Sequence, residues 1–329
     1  MRQGRLKVNG EGIYHCMSRT VNGERLFGMR EKEVLRRMLG RVAEFSGVDV
    51  LTYCVMENHF HALVRVRDEG PGVSDEELLR RYRILYPRPT PHRPASAEVL
   101  AERLRAGGEA AERLRHSLLK RMGDVSQFMK TLKERFAIWF NRNHSRYGPL
   151  WSDRFKSVLV EHNGEALSTM AAYIDLNPVR AGIVADPKDY RFSGYGEAVG
   201  GGADAARGLA FVLGAWGPPE DAKGILADYR QLLFGKGAEE EAGAAAISRE
   251  SAAAVAAAGG ELPWHTLLRC RVRYFTQGRV LGSAAFAAAY CGAPALSRER
   301  RRPLKEKRVP FAEGMALFVA GSVRGPAIH

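Results

Sequence analysis

Cysteine is scarce in this chain: four residues in 329, Cys16, Cys54, Cys270 and Cys291. None stands at a C-x-x-C spacing, which argues against a zinc ribbon. Long apolar runs are missing as well. No window holds eighteen consecutive apolar residues, so no membrane-spanning helix is expected. The opening ten residues, Met1 to Gly10, lack the apolar core of a secretory signal, and the expectation is a cytoplasmic protein with reduced, mostly buried thiols. Acidic residues fall short of basic ones, 37 against 50, for a net charge of +13. The corresponding pI is near 9.8. An excess of this size draws polyanions and favours nucleic acid as a partner; generic solubility charge is the plainer alternative. The apolar share of 45% is ordinary for a folded protein, and the length suits about two domains.

Periodicity supplies the element order. Gly12 to Thr20 predicts a first strand. Glu31 to Phe45 repeats apolar residues at helical spacing through Val34, Leu35, Met38, Leu39, Val42 and Phe45, with Ser46-Gly47 as the stop. Val48 to Met56 and His59 to Val66 predict two strands joined at Glu57-Asn58 as a hairpin. Residues 68–115 have the character of an insertion. Pro87, Pro89, Pro91 and Pro94 exclude one continuous helix there, and Gly107-Gly108 breaks the helical stretch from Ser96 to Arg115. Ser117 to Asn143 predicts one long amphipathic helix, Phe155 to Glu161 a strand, and Asn163 the cap of a following helix. The order β-α-β-β-α-β plus a further helix predicts an α+β fold of the ferredoxin-like, split βαβ kind with an antiparallel sheet.

A boundary is expected near Gly200-Gly201-Gly202-Ala203, giving a domain over 1–198 with its insertion at about 68–115, and an accessory region over 199–329. That second region is expected to be mainly helical, with helices at Asp221–Phe234 and Ser248–Ala258 and structured stretches at Trp264–Arg273 and Ser283–Tyr290. An Ala/Gly-rich stretch over 237–260 reads as a flexible linker. Its basic run Arg298–Arg302, continued by Lys305, Lys307 and Arg308, is either a solvated surface or a DNA contact.

Two constellations carry chemistry. His59-Phe60-His61 lies in a strand-like stretch, where positions i and i+2 share one face at roughly 6–7 Å, so both imidazoles can turn toward one metal ion. Tyr173 and Asn177 stand one helical turn apart in Tyr173-Ile-Asp-Leu-Asn-Pro178, which offers a phenol as nucleophile and an amide oxygen as a further metal ligand. Ordinary readings stand beside these: Asn177 as N-cap with Pro178 at the first helical position, and Tyr173 as a core-edge tyrosine. Proline also disfavours helical backbone at the residue before it, which predicts a bend at Asn177. Arg154 and Lys156 are candidate phosphate contacts, and Trp151 a candidate for stacking on unpaired bases. His15, His144 and His162 have no such partner spacing and are assigned ordinary hydrogen-bonding roles.

Asn58-His-Phe-His-Ala-Leu-Val64 and Tyr173-Ile-Asp-Leu-Asn-Pro-Val-Arg-Ala-Gly-Ile183 resemble the two motifs of the single-tyrosine HUH transposases, most closely the REP-associated tyrosine transposases. Tyr147-Gly-Pro-Leu-Trp-Ser-Asp-Arg-Phe-Lys-Ser157 is similar to a further family stretch, and Tyr14-His-Cys-Met-Ser-Arg19 to its first strand. The resemblance covers residues 12–196 in order, interrupted by the insertion. It implies that His59, His61 and Asn177 hold Mg²⁺ or Mn²⁺. It also implies that Tyr173 cleaves and rejoins single-stranded DNA, folded as hairpin repeats, through a 5′-phosphotyrosine. The implied setting is DNA transposition and recombination at the nucleoid, with monomer and homodimer both compatible. Two rivals remain at this stage: a DNA-binding repressor on the same fold that does not cleave, and a zinc hydrolase using the histidine pair.

Overall fold

The hairpin that carries the paired imidazoles sits inside a sheet. β2 (Val48–Val55) and β3 (His59–Val66) are joined by a two-residue turn, closed where the Met56 amide donates to the His59 carbonyl at 2.8 Å. β1 (Gly12–Arg19) pairs antiparallel with β3 on one side and with β4 (Lys156–Val160) on the other. The computed structural model describes residues 6–8, 10–67, 72–89, 95–162, 164–215, 221–234, 274–291, 306–309 and 317–320. Among these, the strands form one mixed sheet in the order β2-β3-β1-β4-β5-β7-β6, with β5 at Val280–Gly282, β6 at Glu306–Val309 and β7 at Leu317–Ala320. The α+β class expected from the sequence is the class observed. No helix of the described residues is long and apolar enough to cross a membrane.

Helix α1 (Met29–Ser46) crosses from β1 to β2, which leaves β3 between those two strands. It stops where the sequence predicts, at Gly47, whose φ of 62° is left-handed and cheap only for glycine. α5 (Val125–Asn143) returns the chain to β4 and packs beside α1 on the same face of the sheet. The core on this face is aromatic: the Phe27 and Phe136 rings meet edge-on at 5.4 Å, and Trp151 packs against Phe60 at 5.6 Å. The insertion is not a loose appendage. α2 (Asp75–Leu85) lies on α1 and buries Leu78, Tyr82 and Leu85, while α3 (Ala97–Ala106) and α4 (Gly108–Leu119) are split by the left-handed Gly107 and Gly108.

The long helix expected over Ser117–Asn143 is two helices. Gly123 takes a φ of 59°, and the Asp124 carboxylate accepts from the Ser126 and Gln127 amides, starting a new helix rather than continuing α4. The expected cap Asn163 lies outside the described residues. On the opposite face of the sheet lie α6 (Gly164–Asp175), α8 (Gly194–Val199), α9 (Ala203–Val212) and α10 (Ala222–Phe234). The four-residue α7 (Asn177–Arg180) follows α6 almost directly.

The C-terminal region is more mixed than the sequence predicts. α11 (Tyr274–Gln277) and α12 (Ala284–Cys291) flank β5, which pairs parallel with β4 through Leu159↔Val280, and β7 and β6 follow. These strands are three or four residues long, too short to declare themselves by alternation, and the open edge of β4 recruits them. The helix expected at Ser248–Ala258, the linker over 237–260, the stretch Trp264–Arg273 and the basic residues Arg298–Arg302 and Lys305 lie outside the described residues; Lys307 and Arg308 fall within β6.

Candidate metal and nucleophile site

Strand register determines what surrounds the histidines. Residues paired directly across antiparallel strands share a face. His59 is opposite Arg19, and His61 is opposite Met17, which is in turn opposite Lys156. His15, two residues before Met17, therefore points the same way. Phe60 points to the aromatic core behind the sheet. At a strand spacing of about 4.8 Å, the row from His61 through Met17 to Lys156 spans about 10 Å.

Hydrogen bonds then determine which nitrogen of each ring carries the proton. The Asn58 amide donates to the Gly23 carbonyl at 2.8 Å, an acceptor only, so its oxygen is the atom 2.6 Å from His59 Nδ1. His59 Nδ1 therefore carries a proton and donates there. His15 Nδ1 faces the Phe275 carbonyl at 2.8 Å, and its Nε2 stands 2.8 Å from His61 Nδ1. Burial pushes His15 down to about 4, partly opposed by that carbonyl. Burial, followed by the cost of placing a second proton charge beside the His59 and His15 rings and by the Arg180 and Arg19 charges, holds His61 well below the usual histidine range. Both rings are neutral near pH 7, the form in which imidazole ligates metal.

Tyr173 comes from α6 on the facing layer. Its ring centroid is 6.1 Å from that of His61 and 6.3 Å from that of His15, both edge-on. Phe275 packs on it at 4.6 Å, and the Arg180 guanidinium lies 4.1 Å from the ring centroid while also donating to the Tyr173 carbonyl. The Asn177 amide donates to the Tyr173 and Ile174 carbonyls at 3.1 and 3.0 Å. Asn177 is thus not the N-cap of a new helix: its side chain caps the end of α6, and Leu176 stays near helical dihedrals at φ −83° and ψ −1°. The bend expected before Pro178 is slight because the Leu176 and Arg180 amides keep their helical acceptors, Ala172 and Leu176. Asn177 keeps its side-chain oxygen as an acceptor.

Asp175 anchors this helix. It is fully buried, and its carboxylate accepts from Thr52 on β2 at 2.8 Å, from Tyr229 on α10 at 2.7 Å and from the Tyr195 amide on α8 at 3.0 Å. Burial raises it to about 6, opposed by those three donors. Three elements thereby fix α6, and with it Tyr173, against the histidine face.

The structure brings together His59, His61 and Tyr173, with Lys156 exposed along the same sheet face. Arg154 is exposed in the loop before β4. Trp151 lies on the other face, its ring among Phe27, Phe60 and Phe136 and its indole N–H donating to the Lys133 carbonyl at 3.0 Å. Four further residues reach the site: His15, Arg19, Arg180 and Phe275. His15 and Arg19 were findable from strand alternation in β1; Phe275 had no local signal.

The donor set suits a weakly held divalent cation. The ring centroids of His59 and His61 are 5.0 Å apart, and each ring has its Nδ1 engaged, as ligating histidines do. No cluster of three His, Cys, Asp or Glu able to hold a metal occurs among the described residues. Among the described residues, a third donor there would be a neutral group such as the Asn177 amide oxygen, or else an oxygen of the substrate.

No family model matches this chain, and no curated protein matches it. Among solved structures, it is similar to a REP-associated tyrosine transposase bound to a REP hairpin: 14% identity over 61% of this chain and 86% of that one, with a TM-score of 0.36. At that identity and score the likeness is a distant one.

Proposed function

We propose that this protein is an HUH-type transposase that cleaves and rejoins single-stranded, hairpin-forming DNA through a 5′-phosphotyrosine at Tyr173. Its cofactor would be Mg²⁺ or Mn²⁺ held by His59, His61 and Asn177. One observation carries the reading: a tyrosine ring 6.1 Å from His61, one of two imidazoles whose centroids lie 5.0 Å apart, contributed by a separate helix. The two sequence motifs that resemble the family are the segments that supply these groups. The strand order β2-β3-β1-β4, with α1 and α5 on one face, supports a ferredoxin-like frame for the site.

In the reaction, Tyr173 Oη bonds to phosphorus and the P–O3′ bond breaks. The proton lost by the phenol is balanced by the one gained at the departing 3′-hydroxyl. The phosphotyrosyl bond conserves the energy of the phosphodiester, so attack by a 3′-hydroxyl reseals a strand without a nucleotide cofactor. A divalent cation, when bound, supplies neutralisation at a non-bridging oxygen as phosphorus becomes five-coordinate. Arg180 holds the Tyr173 ring from one side, and Arg19 and Lys156 place positive charge along the face where a phosphate chain would run. Tyr173 is 5% exposed, so substrate entry goes with displacement of a neighbour, and Phe275, on the single-turn α11, is one such neighbour among the described residues.

The test is incubation with Mg²⁺ and single-stranded DNA from the flanks of the protein's own gene. A denaturing gel should show a covalent adduct with the wild type and none with Tyr173→Phe, while DNA binding persists. An adduct in the variant would remove Tyr173 as nucleophile. DNA binding with no adduct from the wild type would favour the non-cleaving, repressor-like reading.

A further inference from the structure

His15 belongs to neither the nucleophile nor the ligand set, yet the orientation of His61 depends on it. The Phe275 carbonyl can only accept, so at 2.8 Å it requires a proton on His15 Nδ1. The reverse arrangement would set a ring lone pair against a carbonyl lone pair. His15 is 1% exposed, and its two ring nitrogens meet the Phe275 carbonyl and His61, with no carboxylate hydrogen-bonded to it among the described residues; a neutral ring then has Nε2 as its acceptor. The 2.8 Å contact between the two rings needs one shared proton, and it must be that of His61 Nδ1. His61 is left with Nε2 unprotonated. His59 Nδ1 likewise donates, to the Asn58 side-chain oxygen.

We infer that His15, anchored by the Phe275 carbonyl, is a positioning residue that locks His61 in its Nδ1–H tautomer and so presents the Nε2 lone pair to a divalent cation. The inference rests on the proposed metal site. It also gives the C-terminal region a role there, because the anchoring carbonyl comes from a residue 260 positions away in the chain. An outer partner of this kind typically changes metal affinity by 10–100-fold.

The experiment uses the full-length protein, labelled with ¹⁵N at histidine and freed of metal by chelation. Long-range ¹H–¹⁵N correlation spectra near pH 7.5, with His61 assigned by its loss in His61→Gln, should show His15 and His61 as neutral Nδ1–H tautomers. His61 as the Nε2–H tautomer, or as imidazolium, would overturn the inference. Mn²⁺ affinity, measured by electron paramagnetic resonance, should fall at least about tenfold in His15→Phe, which keeps a ring and loses both hydrogen bonds. It should fall less in His15→Gln, whose amide retains one donor and one acceptor. Unchanged affinity in a folded His15→Phe would refute the positioning role. Should that variant not fold, the wild-type spectrum decides alone. A wild type that binds no Mn²⁺ overturns the metal part of the inference. A wild type that binds Mn²⁺ and shows the expected tautomers but forms no DNA adduct counts against the proposed reaction and supports the role of His15.

Discussion

Replacing Asp175 by alanine tests whether the nucleophile helix is held by a buried carboxylate. Three donors converge on Asp175: the Thr52 hydroxyl at 2.8 Å, the Tyr229 hydroxyl at 2.7 Å and the Tyr195 amide at 3.0 Å. The donor residues are buried too, with Tyr229 0%, Thr52 1% and Tyr195 2% exposed, so water does not readily replace the lost acceptor. Each orphaned donor costs about 1–3 kcal/mol. Deleting the carboxylate also removes its own desolvation penalty, and the balance for breaking buried charged interactions is about 3–5 kcal/mol. Tyr229→Phe removes one donor from a carboxylate that keeps two, at about 1.5–3 kcal/mol. The double variant should cost less than the sum by about 1 kcal/mol or more, because the Tyr229 hydroxyl can be orphaned only once. Urea denaturation followed by tryptophan fluorescence measures all three. Single-variant costs under about 0.5 kcal/mol, or strict additivity, would refute the anchoring role. In the proposed reaction, Asp175→Ala should also lower adduct yield, since α6 would lose its tie to β2.

Three other outcomes follow from the structure. His59→Ala should lose the DNA cleavage that Mn²⁺ supports in the wild type; unchanged metal-dependent cleavage would count against the histidine pair. Phe136→Ala empties the centre of the aromatic layer, where Phe136 meets Phe27, Trp139, Phe140 and Trp151, and should cost about 3–5 kcal/mol in denaturant titration. At Gly208 an added Cβ would fall on the Leu51 carbonyl oxygen, backbone that cannot rotate away, so Gly208→Ala should push α9 off β2 and cost about 1–3 kcal/mol. A melting temperature within one degree of wild type would show that the helix shifts without strain.

Elements whose signals are local were legible. The first strand, α1 and the hairpin fall within a residue or two of their expected bounds, because alternation, helical period and a terminal glycine each act over a few residues. Legibility failed where a strong pattern hid a short interruption. The apolar stripe from Leu118 to Trp139 conceals the stop at Gly123-Asp124, two residues that outweigh the stripe by supplying a left-handed turn and a helix cap. It failed again at β5, β6 and β7, whose pairing is decided by an available edge rather than by their own composition.

The site divides along the same line. By itself the sequence determined that His59 and His61 share a strand face, that Tyr173 and Asn177 share a helix face, and that the chain is strongly basic. Those follow from backbone geometry and counting. Only the tertiary structure decided that α6 sets Tyr173 before His61, that Asn177 caps that helix rather than starting the next, and that Asp175 anchors it. It alone brought His15 between His61 and the Phe275 carbonyl. The reason is physical. Strand periodicity gives the direction in which an imidazole points, but its tautomer depends on whichever acceptor the fold delivers, and that carbonyl is 260 residues from His15.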